Sequence, residues 1–205
     1  MGMDVYGLNP KIKKGSVKPR ELNWANFKKI GQDRKELDKY YKEKEKYEEE
    51  NKGIYFRNNV WWWRPLANLI REQNSSWLTE EQQERLHDNS GFEFSESEAM
   101  TIYKSLKKVI KNGTCKKIET EWKKKAKQAE KWNKGIDKQM DKLSKLAEKK
   151  LGKKNVAPRD YPPEFKQKWD KLWESKDLTC SYPFAVRNVE RFCQFLKECG
   201  GFKIC

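Results

Sequence analysis

A short aromatic block, residues 55–65, holds the side chains that are best suited to recognising a ligand. Its three consecutive tryptophans cannot all face one way, because successive side chains diverge on a helix and alternate on a strand. At least one indole must therefore contact something other than a one-sided core, and an exposed indole can stack on a nucleic-acid base. Arg57 and Arg64 could each bind a phosphate through two parallel hydrogen bonds.

The same block also has a structural interpretation. Tryptophan buries a large area, and clustered tryptophans often form the hydrophobic centre of a small protein. We expect most of the three rings to lie in the core, which leaves the two arginines and the neighbouring asparagines as the sharper functional candidates. The asparagines could read the polar edges of a ligand. The full set of candidate ligand-binding residues is Tyr55, Arg57, Asn58, Asn59, Trp61, Trp62, Trp63, Arg64, His87, Asn89, Tyr182 and Asn188.

His87 is the only histidine, so a Ser–His or Cys–His pair would have to use it. An HNH-type nuclease needs a second histidine, and a histidine-based zinc site would have to recruit cysteines from distant segments. A structural role for the loop at 87–91, which more often caps neighbouring helices, is favoured over ligation or catalysis. The chain also has no glycine-rich phosphate loop, HExxH, GxSxG or kinase motif. We therefore expect no catalytic residue, no metal and no cofactor, and the protein is not expected to be an enzyme.

The charge balance favours an anionic partner. Among 205 residues there are 46 lysines and arginines against 31 acidic residues, which gives a net charge of +15. This charge is compatible with binding to nucleic acids, nucleotides or acidic protein surfaces. Only nine of the basic residues are arginines, which make directed contacts, whereas lysine acts as a hydrated point charge. Lysine is concentrated in residues 116–154, where Lys123, Lys124, Lys125 and Lys127 are candidates for long-range attraction. A purely solubilising face is the slightly favoured alternative for this segment.

The cysteines and the hydropathy pattern predict a cytoplasmic protein. Five cysteines with no CxxC pair argue against a closed disulfide framework. There is no recognisable signal peptide and no apolar run near 18 residues, so we expect reduced thiols and no membrane partner. The oligomeric state is left open.

Two kinds of segment alternate along the chain and must position these residues. Aromatic, mixed segments alternate with lysine-rich helical ones, which predicts a mainly α fold with a compact aromatic-rich helical core and long lysine-rich helical inserts. We expect one domain over 1–205, with core segments 1–10, 53–113 and 180–205 and inserts 11–52 and 114–179. Residues 202–205 are expected to form a short closing strand.

Helix boundaries follow from local signals. Pro65 suits the first turn of a helix, and the pairs Thr79 with Gln82 and Ser95 with Glu98 predict capping boxes. Apolar residues at steps of three and four predict one long amphipathic helix from about 116 to 151, ending at a glycine. A further helix is expected to end at the two glycines at 200–201, with its cysteines in the core.

The mixed segments together resemble an uncharacterised family of small phage and prophage-borne proteins. The similarity rests on Asp4 to Gly7 with Pro10, on Gly53 to Leu66, on His87 to Gly91 and on Tyr182 to Phe202, and it covers about half of the chain. Two departures matter: some forty residues separate the first two segments, and the lysine-rich helix stands where some members carry paired CxxC motifs. The resemblance implies a phage context and, with it, the cytoplasm of the host cell. It does not supply an activity, and no metal role is carried over.

Two functions are favoured by these observations, and a small enzyme that uses His87 is the weakest alternative. The first is a phage-encoded, non-enzymatic protein that captures an anionic ligand, which could be a nucleotide, a cyclic-nucleotide immune signal or a nucleic acid, as a counter-defence. The alternative is an interaction module or inhibitor whose helical arm binds a host or phage protein.

Overall fold

The computed structural model describes residues 2–21 and 34–205. This part of the chain is 65% helical, which confirms the mainly α class. The helices are α1 (Arg34–Glu50), α2 (Val60–Asn74), α3 (Glu80–Arg85), α4 (Glu96–Lys111), α5 (Thr114–Leu151), α6 (Pro163–Glu174) and α7 (Val186–Glu198). The strands are β1 (Gly2–Gly7), β2 (Tyr55–Asn59), β3 (Glu93–Phe94) and β4 (Phe202–Ile204), and short 3-10 turns cover Pro158–Asp160 and Leu178–Ser181.

The chain divides into two compact units, residues 1–116 with 184–205 and residues 117–183. The core segments expected at 1–10 and 53–113 lie in the first unit, and most of the insert expected at 114–179 lies in the second. The organisation as one domain stays a prediction. The part of the first insert at 22–33 falls outside the described residues.

The first unit is built on a four-stranded antiparallel sheet with the order β2-β1-β4-β3. The expected closing strand is confirmed as β4, but it belongs to a larger sheet than the sequence predicted. Helices α2, α4 and α7 bury their apolar faces in the same core. Its centre is aromatic: the ring centroids of Phe94 and Phe202 lie 4.7 Å apart, and those of Phe56 and Phe192 lie 5.0 Å apart.

Two glycines allow β1 and the end of α7 to approach closely. A Cβ atom on Gly7 would lie 2.1 Å from the carbonyl oxygen of Gly53, and one on Gly53 would lie 2.2 Å from that of Glu198. No side chain fits at either position, because such distances are far inside van der Waals contact. These contacts fix how β1, the start of β2 and α7 meet.

The second unit is organised around α5, whose described apolar face is buried along residues 129–147. Two indoles hold this helix to the returning chain: Trp122 Nε1 donates to the Thr179 carbonyl oxygen at 3.3 Å, and Trp132 Nε1 donates to that of Ser175 at 2.9 Å. The helix ends at Leu151, with Gly152 at φ 63°, as the sequence predicted. Among the described residues, no helix is both long and apolar enough to cross a membrane.

Candidate functional site

The three tryptophans of the aromatic block have three different environments. Trp63 is fully buried, and its Nε1 donates to the Leu86 carbonyl oxygen at 2.6 Å. Trp62 is half-buried, whereas Trp61 is 43% exposed. The expectation that most of these rings lie in the core is therefore correct in full for only one of them. The rings diverge because they occupy successive positions in the first turn of α2.

The start of that helix differs from the sequence prediction. Helix α2 begins at Val60, five residues before Pro65, so the proline lies inside the helix rather than at its first position. The reason is Asn59, whose side-chain oxygen accepts a hydrogen bond from the Trp62 backbone N–H at 3.0 Å and caps the helix. Strand β2 therefore passes directly into α2, and Trp62 is held at the junction.

A cavity of about 490 Å³ opens at this junction. Its walls come from β2, from the first turn of α2 and from the first turns of α7. The lining residues are Arg57, Asn58, Asn59, Trp62, Ala185, Arg187, Asn188 and Arg191. Five of these eight, Arg57, Asn58, Asn59, Trp62 and Asn188, are among the candidates that the sequence indicated.

The asparagines form a buried polar floor beneath the cavity. Asn58 Nδ2 donates to Asn188 Oδ1 at 3.0 Å, and Asn188 Nδ2 donates to the Trp62 carbonyl oxygen at 3.2 Å. Asn58 and Asn188 are each 8% exposed. The amide of Asn188 thus joins β2, α2 and α7, and these asparagines, with Asn59 as a helix cap, hold the site together in the absence of a ligand.

Three arginines give the cavity its charge. Arg187 and Arg191 are four residues apart on α7 and therefore share a face, which they present beside Arg57 of β2. None of the lining residues is acidic. Helix α7 begins after Ala185, which makes no side-chain cap, so the positive end of the helix dipole adds to the same field.

An acidic residue lies behind one of the arginines, Arg57. Arg57 Nε lies 3.6 Å from Asp4 Oδ1, and the Tyr55 hydroxyl donates to the same carboxylate oxygen. Burial and then this hydrogen bond raise the pKa of Tyr55. Tyr55 therefore acts on the site through Asp4 and Arg57, because it does not line the cavity.

A second opening of about 640 Å³ lies on the other side of the three arginines. It includes carboxylates from α1 and α7, among them Glu48 and Glu190, and burial raises the pKa of Glu48. The guanidinium of Arg191 lies 5.6 Å from the centre of the Phe56 ring. Arg57, Arg187 and Arg191 therefore line both openings, and only the second of the two contains carboxylates.

Arg64 and His87 lie away from this cavity. Arg64 follows Trp62 by two residues, which is about 200° around the helix. Burial and the charges of Arg71 and Arg64 lower the pKa of His87. His87 lines a separate cavity of about 410 Å³ with Arg71, Glu80, Gln83 and Glu84. We had expected Arg57 and Arg64 to bind the same ligand, but only Arg57 lines the cavity.

The two other candidates, Asn89 and Tyr182, do not line the cavity. Asn89 Nδ2 donates to the Gly2 carbonyl oxygen at 3.3 Å, which ties its loop to β1. Tyr182 belongs to the second unit, where its backbone N–H donates to the Thr179 carbonyl oxygen at the end of a 3-10 turn.

The four predicted electrostatic lysines lie on different sides of α5. Lys123 pairs with Glu119 at 3.3 Å, and Lys125 lies about 100° around α5 from Lys124. Lys124 and Lys127 belong instead to a row that we call the lysine ridge. At 3.6 residues per turn, nine exposed lysines of α5 between positions 117 and 151, the part of the helix in the second unit, fall within a sector of about 100°. They are Lys117, Lys124, Lys127, Lys131, Lys134, Lys138, Lys142, Lys145 and Lys149.

No metal centre is formed by the described part of the chain, where no three histidine, cysteine or acidic side chains lie close enough to hold an ion. All five cysteines are free. Cys193 and Cys199 are buried in the core, as expected, and burial raises their pKa to about 12 and about 11.

Sequence reasoning missed Arg187 and Arg191, although both are visible as a basic pair at a spacing of four. Their pairing with Arg57 depends on contacts between segments some 130 residues apart, which a local pattern does not reveal. No protein-family model, curated protein or solved structure matches the chain.

Proposed function

We propose that the first unit binds a small anionic ligand that carries a phosphate and a flat ring, such as a nucleotide or a cyclic nucleotide, and does not transform it. The observation that carries this proposal is the cavity in which Arg57, Arg187 and Arg191 meet Trp62 without an acidic lining residue. Guanidinium groups bind phosphate oxygens in pairs. A half-buried indole offers a face on which a base can stack.

The size and rigidity of the site support the same function. A cavity of about 490 Å³ lies within the range of about 300–1,000 Å³ that is typical of small-molecule sites. Its floor is fixed by the two hydrogen bonds of Asn188, so little ordering is needed on binding. The short end of a nucleic acid presents the same phosphate and ring chemistry, and is the third ligand class to test.

The resemblance to phage-borne proteins supplies the biological context of the proposal. In an infected host cytoplasm, a protein that captures a cyclic-nucleotide immune signal would act by sequestration and would need no catalytic group. The net charge of +15 would raise the local concentration of any such anion.

Thermal melting with a ligand panel tests the proposal. We expect mononucleotides, cyclic nucleotides or short oligonucleotides to raise the melting temperature, because a ligand that binds the folded state stabilises it. Arg187→Ala is expected to weaken the binding by about 10- to 100-fold, since a hydrogen bond to a charged group contributes about 1.5–3 kcal/mol. Arg64→Ala, which removes the same charge outside the cavity, is the matched control.

Trp62→Leu separates ring recognition from phosphate recognition. The variant is expected to lose affinity for a nucleotide while it keeps its weaker affinity for inorganic pyrophosphate, because only the nucleotide stacks on the indole. If no ligand of the panel shifts the melting temperature, or if Arg64→Ala weakens binding as much as Arg187→Ala, the proposed site is wrong.

A second candidate function, partner binding by the helical arm, is favoured by a groove in the second unit. It measures about 600 Å³, and Trp122, Ala126 and Cys180 are among the residues that line it. If a host or phage protein binds there, Ala126→Arg should abolish its co-purification with the full-length chain, whereas Lys168→Gln, outside the groove, should not.

A further inference from the structure

The lysine ridge concentrates positive charge without compensation. Eight of its nine lysines make no ion pair with any residue that the structure describes, and the exception is Lys134, whose Nζ lies 3.2 Å from Glu130 Oε1. The six acidic residues of α5 all fall outside the sector of the ridge. Apart from lysine, the sector holds only Thr120 and Gly135.

Helix α1 of the same chain shows what a compensated charged helix looks like. It carries six basic and seven acidic residues, and three of its lysines pair with glutamates four residues further on. Helix α5 carries thirteen lysines against six acidic residues. Like charges three or four residues apart destabilise a helix, so the alignment of these lysines has a cost. Solubility does not explain that cost, because lysines spread around the helix would solubilise it equally well. The ridge therefore indicates an anionic partner.

The ridge is long and contains one kind of group. Thirty-two residues separate Lys117 from Lys149, so the ridge extends about 48 Å along the helix at about 1.5 Å per residue. A mononucleotide could contact only a small part of this length, whereas a duplex carries about 28 phosphates over the same distance. Lysine is a point charge without the planar fork of arginine, so such contacts select phosphates rather than base edges.

The surroundings of the ridge argue against two other anionic surfaces. A helix that lies on a membrane needs a row of apolar side chains beside its basic face, but the buried apolar face of α5 is on the opposite side, and Leu146 is the one large apolar side chain of α5 within about 20° of the sector. Trp132, an exposed aromatic of this helix, lies about 60° outside the sector. The core of a protein interface is usually anchored by aromatic or arginine side chains, and the groove lined by Trp122 reaches only Lys124 and Lys127 of the ridge.

We propose that the lysine ridge of the second unit binds the phosphate backbone of a nucleic acid independently of base sequence, as a site separate from the cavity of the first unit. The ammonium groups contact phosphates along one side of the strand or duplex and release counterions. Affinity is then set by charge and salt, with no preference among sequences of equal length.

Fluorescence anisotropy with the full-length chain tests this site. The probes are a labelled duplex of about 24 base pairs, longer than the ridge, and a single strand of equal length. The ridge variant is Lys124→Gln, Lys131→Gln and Lys138→Gln together. The control, Lys125→Gln, Lys168→Gln and Lys171→Gln together, removes the same charge from exposed positions of the same unit outside the ridge.

The salt dependence distinguishes local contacts from net charge. If about six lysines contact phosphates, binding to the duplex should weaken about 10³-fold between about 50 and 200 mM salt. The ridge variant should weaken only about 40-fold over the same range, because three contacts are gone, while the control keeps the wild-type slope. The ridge variant and its control should both keep the affinity of the chain for a mononucleotide, which separates this site from the ligand cavity.

Several results would overturn the proposal. The ridge is not the site if its variant and the control change the slope equally. An absence of binding to either nucleic acid at about 50 mM salt also refutes it. Binding to phosphatidylserine vesicles or to polyglutamate in the absence of nucleic-acid binding would assign the ridge to a membrane or an acidic protein instead.

Discussion

Replacement of Asn188 by alanine tests whether the polar floor holds the candidate site together. The substitution removes two hydrogen bonds, one from Asn58 Nδ2 at 3.0 Å and one to the Trp62 carbonyl oxygen at 3.2 Å. Both partners would be left in a region that is largely buried. The side chain is the point at which β2, α2 and α7 meet, so its loss should affect the unit as a whole.

The magnitude follows from these two bonds. A lost hydrogen bond costs about 1 kcal/mol, and a buried partner left unsatisfied costs about 1–3 kcal/mol. Because the cavity lets water reach part of this floor, we expect Asn188→Ala to lower the free energy of unfolding by about 2–4 kcal/mol. For a chain of this length, that corresponds to a fall in the melting temperature of about 4–16 °C.

A double-mutant cycle measured by urea denaturation isolates the interaction. Asn58→Ala and Asn188→Ala should be coupled by about 1–2 kcal/mol, because each side chain contributes less to the free energy of unfolding once its hydrogen-bond partner has been removed. Asn89→Ala, which removes an exposed amide, is the control and should change stability by less than about 0.5 kcal/mol. Additive effects, or a loss below about 1 kcal/mol for Asn188→Ala, would show that the floor is not structural.

Three further predictions follow from burial. Trp63→Ala should cost about 3–5 kcal/mol in denaturant unfolding, while Trp61→Ala, at a 43% exposed position, should cost less, and equal losses would contradict this. Burial lowers the pKa of His87 below its ordinary value of 6.5, so the unfolded state binds a proton at a higher pH than the folded state does. The contribution of His87 to stability is therefore present above pH 6.5 and is lost as the pH falls towards the folded-state pKa. His87→Gln should remove that part of the pH dependence in urea titrations between pH 5 and 8, and an unchanged profile would contradict the assignment. A thiol-modifying reagent should label the exposed Cys180 quickly and Cys193 only on unfolding, since burial raises the pKa of Cys193 to about 12. Mass spectrometry measures the two labelling rates, and equal rates in the folded protein would refute this prediction.

The parts of the fold that depend on neighbouring residues were predictable from the sequence. Thr79 and Ser95 form the expected capping boxes with residues three positions further on, because a cap needs only its own first turn. The ends of the long helix and of α7 were correct for the same reason, since glycines at 152 and 200–201 adopt positive φ angles.

Features that depend on distant residues were not predictable. Three of the four strands were missed, because β3 has two residues and β1 pairs with segments about 50 and 200 residues away. The candidate site was missed in part for the same reason: Arg57 was recognised, but its neighbours Arg187 and Arg191 come from another segment. Arg64 is close to Arg57 in sequence and lies about 200° around the helix from Trp62.

The order of the strands has a consequence for how the chain is made. In the sheet β2-β1-β4-β3, the central strand β1 pairs through Val5 with Ile204 of β4, so these partners are synthesised almost 200 residues apart. At about 5–20 residues per second, the first of them waits on the ribosome for about 10–40 s. During this time β2 can pair with β1, but β3 has no partner, since β4 is its only neighbour in the described sheet. The four-stranded sheet can therefore form in full only after β4 has been synthesised.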